Sequence, residues 1–157
     1  MTDAVTDADE LFGLFSARLA AAGGIAHRAA DADEAAAAIA GILAQSVAQA
    51  PVSTPHVEAE QDSGPRPRTP GPGLRGAAAW ASSRLVEALP GLLAALEAQG
   101  CAVRVPDAPA AVRDQPVGLA LARMAIAETG SVLLDEPEIA DRAVSLMTNV
   151  LVAVCPL

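Results

Sequence analysis

Val117-Gly118-Leu119-Ala120-Leu121-Ala122-Arg123-Met124-Ala125-Ile126 runs into Ala127-Glu128-Thr129-Gly130-Ser131, and Val132-Leu133-Leu134 follows at once. An apolar run, a tight polar turn and a second apolar run predict a strand or helix, a reversal, and then a buried strand. Gly130 has no Cβ, so it suits a turn conformation that other residues resist. Successive backbone N–H groups in such a turn can converge on an anion. No other stretch of the chain looks as much like a site.

Working outward, Asp7-Ala8-Asp9-Glu10 has the form of a capping box. Leu11, Phe15, Leu19 and Ala22 follow on one helical face, and Gly23-Gly24 ends the helix. Ile25–Arg28 is short enough for a strand. The same tetrapeptide at Asp31–Glu34 opens a second helix through Ala35, Ile39, Ile42 and Leu43. Residues 77–81 read as a strand containing Trp80. Ser82 or Ser83 then caps a helix to Gln99, bent at Pro90 and closed by Gly100. Cys101–Val105 is the clearest strand by β-branched content. Residues 108–114 form a loop or short helix. After the central stretch come an acidic loop, a short helix near 143–147 and a last apolar strand, 150–154. Helices alternating with short, continuously apolar strands predict an α/β fold with a mostly parallel sheet flanked by helices. In such sheets ligands sit outside the carboxyl ends of the strands.

The chain has 157 residues, enough for one domain with a real core. Hydrophobic residues make up 52% but aromatic ones only 2%, so an alanine-rich core buries little area per residue. Residues 51–76 hold six of the twelve prolines and predict a flexible Pro/Gly-rich loop. The net charge of −9 argues against nucleic acid and against an anionic membrane surface. No stretch is long enough to insert into a bilayer, and the acidic N-terminus lacks the basic region of a secretory signal, so the expected location is the cytoplasm.

Glu128, Thr129, Gly130 and Ser131 are the first candidate ligand-binding residues, with two hydroxyl donors and Glu128 as a candidate catalytic acid–base group. The plain alternative is a tight turn whose hydroxyls satisfy local backbone. Arg142 is the second candidate, because a guanidinium grips a carboxylate through two parallel hydrogen bonds. Its alternative is a solvated partner for Asp135, Glu136, Glu138 or Asp141, an acidic run that reads as a solvated loop. Cys101 and Cys155 read as buried free thiols. Neither an iron–sulfur nor a zinc spacing is present, and His27 and His56 stand apart, so no metal and no cofactor are expected in this chain. Gly118 lacks the rest of a phosphate-binding fingerprint.

The central stretch also resembles a family. Ile126-Ala127-Glu128-Thr129-Gly130-Ser131 with Val132-Leu133-Leu134, then Arg142, Ser145-Leu146 and the strand 150–154, is similar to the hallmark of LUD-domain proteins of the lactate-utilization protein C group. The resemblance is specific over 117–154. Leu119–Ala122 and Met147-Thr148-Asn149 depart from the family pattern, and the family continues past Leu157, so a truncated C-terminus is expected. The resemblance implies a single LUD-like domain of the sugar-phosphate-isomerase/CoA-transferase-like fold. It implies an accessory, non-catalytic or weakly catalytic subunit in oxidation of L-lactate to pyruvate, beside iron–sulfur partner proteins. Small carboxylates are then the expected ligands, and the last strand is an edge that a partner or a second copy, in a homo-oligomer, would cover. Two alternatives stand beside this. One is a carboxylate- or phosphate-metabolite-binding protein or enzyme of that wider fold, with Glu128 acting and Arg142 holding. The other is a truncated, non-functional remnant.

Overall fold

A computed structural model describes residues 7–49 and 78–156. The expected loop at 51–76, and His56 within it, lie outside the described residues. The structure is α/β, a mixed sheet of five strands flanked by helices.

The sheet is assembled on β3, Val117–Ile126. The first half of β3 pairs in parallel with β1, Ala78–Ala81, on one side and with β5, Val150–Val154, on the other. The second half pairs antiparallel with β4, Ser131–Leu134. β2, Ala102–Arg104, lies parallel beside β1. Val117 to Ala120 are buried, as a continuous apolar run demands of a strand covered on both faces. From Arg123 to Ile126 the strand is exposed.

Strand alternation sorts the core into two layers. Ala79, Ala81, Val117 and Leu119 cluster with Ala36, Ile39 and Leu43 of α2, Ala32–Gln49. Leu85 of α3, Ser83–Ala88, and Leu92, Ala95 and Leu96 of α4, Pro90–Ala98, complete that layer. Each fully buried leucine there contributes about 1.5–3 kcal/mol. On the opposite face Trp80 and Met147 pack against Val112, Ala143 and Val144. Those residues belong to a short 3-10 helix, Pro109–Val112, and to α5, Ile139–Met147. The Trp80 Nε1–H donates to Gln115 Oε1 at 3.1 Å. Gly118 lets α5 lie on the strand, since a Cβ there would stand 2.6 Å from the Val144 carbonyl oxygen and from Thr148 Oγ1.

Both acidic helix starts form. In α1, Ala8–Ala21, the Asp7 carboxylate accepts from the Asp9 N–H at 3.1 Å. In α2, the Asp31 carboxylate accepts from the Glu34 N–H at 2.9 Å and Glu34 accepts from the Ala30 N–H at 2.8 Å. Gly23, at φ +86, ends α1, with its own N–H on Ala20 O and the Gly24 N–H on Leu19 O.

Several sequence expectations are corrected. Residues 25–28 form no strand: Ile25 is 78% exposed, and Arg28 lies 5.2 Å over Phe12 and pairs with Asp9. A tetrapeptide with no neighbouring strand has no ladder to join. The apolar stripe of α1 buries no residue. The expected bent helix to Gln99 is two helices, because Pro90 drives Leu89 out of helical geometry and then serves as the first residue of α4. Cys101 is buried, but Cys155 is only half-buried. The strand after the turn is largely exposed, because the β3–β4 hairpin runs beyond the covering helices. Finally, α5 begins at Ile139, four residues earlier than expected. Among the described residues, no helix is long and apolar enough to cross a membrane.

Candidate functional site

The polar side chains gather where three segments meet: Ser82-Ser83-Arg84 leaving the carboxyl end of β1, the outer half of β3, and Asp135-Glu136 leaving β4. Arg84 Nη1 donates to Asp135 Oδ2 at 2.8 Å, and Arg123 Nη1 approaches the same oxygen at 3.4 Å. Arg84, Leu121, Arg123 and Asp135 line a depression of about 320 Å³. All three charged side chains are well exposed there. Arg123 falls where the β3–β4 register shifts between Ala122 and Met124. A bulge re-aims the side chain it carries, and here the guanidinium comes toward Asp135.

Beside the depression lies a buried polar cluster. Asp141, 2% exposed, accepts from the Ser83 N–H at 2.9 Å and from the Ser83 hydroxyl. Glu136, 9% exposed, accepts from the Ser145 hydroxyl at 3.0 Å. Burial is the largest influence on the Glu136 carboxyl and pushes it up. The Ser145 hydrogen bond opposes that rise, the Asp141 charge adds to it, and the Ser82 hydroxyl opposes it. Two of the four acidic residues read as a solvated loop are therefore buried and engaged, which corrects that expectation. The reason lies in helical phase: with α5 starting at Ile139, Asp141 falls on the same inward stripe as Val144.

The turn of the sequence analysis is the tip of the β3–β4 hairpin. Two of its N–H groups are in use, Gly130 donating to Ile126 O at 2.9 Å and Thr129 to the same oxygen at 3.4 Å. Gly130 is buried at φ +68, and a Cβ there would stand 2.5 Å from the Leu19 nitrogen and 2.7 Å from the Arg18 carbonyl carbon. The end of α1 thus rests on this glycine. Glu128, Thr129 and Ser131 are exposed. Arg142 is exposed on α5, where its Nη2 donates to Pro137 O at 3.1 Å rather than to any residue of the acidic run. The structure keeps the turn residues together and leaves Arg142 apart from them.

Sequence reasoning missed Arg84, Arg123 and Asp135. Arg123 alone carried a local signal, a charge inside a ten-residue apolar strand. Among the described residues, no group of three or more His, Cys, Asp or Glu is placed to hold a metal ion. Chemically, the pair of guanidinium groups at the depression suits a carboxylate or another small anion. No family model, no curated protein and no solved structure matches the chain.

Proposed function

We propose that the chain is a small-carboxylate-binding protein in which Arg84 and Arg123 receive the ligand's carboxylate in place of Asp135. The supporting observation is the convergence of two guanidinium groups, from α3 and from the β3 bulge, on a single carboxylate oxygen at the mouth of an open depression. Asp135 marks the position that an incoming carboxylate would take. The place also agrees with the carboxyl-end rule for parallel strands, since β1 and β3 pair in parallel just before it.

The resemblance over 117–154 narrows the ligand to 2-hydroxy and 2-keto acids such as L-lactate and pyruvate. On that reading the chain is an accessory, non-redox subunit of L-lactate utilization. Iron–sulfur partners carry the electrons, and the sugar-phosphate-isomerase/CoA-transferase-like layout is its proposed fold relation.

Calorimetric titration with L-lactate, pyruvate and inorganic phosphate tests this. The expected result is binding of a 2-hydroxy or 2-keto acid that weakens at least about tenfold in the Arg84→Ala, Arg123→Ala double variant. Unchanged binding in that variant would move the site elsewhere. Glu128→Gln and Arg142→Ala in the same titration show whether the hairpin tip or α5 holds the ligand instead. Growth on L-lactate of a deletion strain, with and without this chain, tests the lactate assignment separately.

A further inference from the structure

We infer that Leu121 is the apolar floor of the depression and selects a monocarboxylic acid whose side chain is longer than a methyl group. The inference rests on the carboxylate reading above and names the class of acid within it.

The strand register puts Leu121 at this place. β4 ends with Leu134 opposite Ala122 in an antiparallel ladder, so the next residue, Asp135, falls beside Leu121. Residues opposite one another in such a ladder share a face of the sheet. Alternation along β3 sets Leu119 and Leu121 on one face as well. Leu119 is fully buried in the layer that α2, α3 and α4 cover. Leu121 lies one pleat further out, packs against that layer and stays partly open. With Arg84, Arg123 and Asp135 it lines the depression, and among these four it is the one apolar side chain.

Size and charge then narrow the ligand. The depression holds about 320 Å³, and small-molecule sites begin at about 300 Å³. Pyruvate and L-lactate each have six non-hydrogen atoms. Even at about 30 Å³ per atom, the share of a water in the liquid, either fills only a little over half of that space. The lining offers the remainder no cation, because both guanidinium groups converge on the one Asp135 oxygen that the ligand's carboxylate would replace. A second carboxylate on the ligand would lie against Leu121, where burial penalises a charge. A methylene chain at the same place gains by leaving water.

The test is calorimetric titration of the full chain with pyruvate, 2-oxobutyrate, 2-oxopentanoate and 2-oxoglutarate. Along the first three acids, each added CH₂ is expected to tighten binding about two- to fourfold. The five-carbon 2-oxoglutarate, as long as 2-oxopentanoate but with a second charge, is expected to bind more weakly than it. Leu121→Ala should flatten the series while pyruvate binds as before. Leu121→Met, of similar volume, should keep the series steep, so a loss in Leu121→Ala is not merely a loss of folding. A flat series in the wild type, with pyruvate binding still weakened in the Arg84→Ala, Arg123→Ala double variant, would overturn this inference and leave the carboxylate reading standing. So would 2-oxoglutarate binding as tightly as 2-oxopentanoate, or a series as steep in Leu121→Ala as in the wild type. Failure of every acid to bind, or a series untouched by the double arginine variant, would overturn the carboxylate reading and this inference with it.

Discussion

Asp141 accepts hydrogen bonds from both the backbone N–H and the hydroxyl of Ser83, 58 residues earlier in the chain. One side chain in the first turn of α5 thereby satisfies a free donor at the start of α3, whose own cap residue, Ser82, makes no side-chain bond to it. Two helices on opposite faces of the sheet are joined at the carboxyl end of β1.

Asp141→Ala leaves that buried N–H unpaired. A loss of about 1–3 kcal/mol is expected in urea unfolding. Asp141→Asn keeps one acceptor oxygen and is expected to lose less. Equal losses in the two variants would mean that the acceptor is not what matters.

Asp135 stands between the two arginines as an internal competitor. Asp135→Asn is expected to tighten binding of the carboxylate ligand by up to about fivefold, since an exposed ion pair amounts to about 0–1 kcal/mol. Its melting temperature should hardly move. Weaker binding in this variant would make Asp135 part of the site rather than a stand-in for the ligand.

Gly130 and Gly23 separate conformation from contact. Both have positive φ, but a Cβ meets backbone of Arg18 and Leu19 at Gly130 and nothing within 4 Å at Gly23. Gly23→Ala is expected to lose about 1 kcal/mol from backbone strain alone. Gly130→Ala must lose more, and α1 should become the first protease-sensitive segment. Matching losses in urea unfolding would show that α1 does not rest on the hairpin tip.

The two thiols differ in the same spirit. Cys101 is buried, and burial pushes its thiol up, whereas Cys155 is half-buried. A disulfide-exchange reagent at about pH 8 should titrate one thiol quickly and the second only on unfolding. Mass mapping should place the fast adduct on Cys155.

What the sequence made legible was local. The acidic caps of α1 and α2, the Gly23 stop, and the strands β1, β2 and β5 rest on side-chain-to-backbone chemistry and apolar runs within a few residues. The hairpin tip was legible because a polar tetrapeptide with glycine interrupts two apolar runs. The arginine pair was not, because Arg84 and Arg123 meet only through the β1–β3 pairing and a one-residue bulge, neither of which leaves a periodic trace. Asp141 and Glu136 read as solvated because a charge run usually is. Only the phase of α5, fixed by where it starts, turns Asp141 inward.

The parallel pairing of β5 with the first half of β3 also sets an order of events during synthesis. β1 to β4 all precede Val150–Val154 in the chain. Without β5, one edge of the buried half of β3 has no neighbour, and an open strand edge is a template for pairing with other chains. Sheet closure must wait for residues translated well after β3, and long-range parallel pairing is intrinsically slow. Any state of the chain in which β5 is undocked therefore leaves its central strand unguarded on that edge, when a chaperone has the most to do.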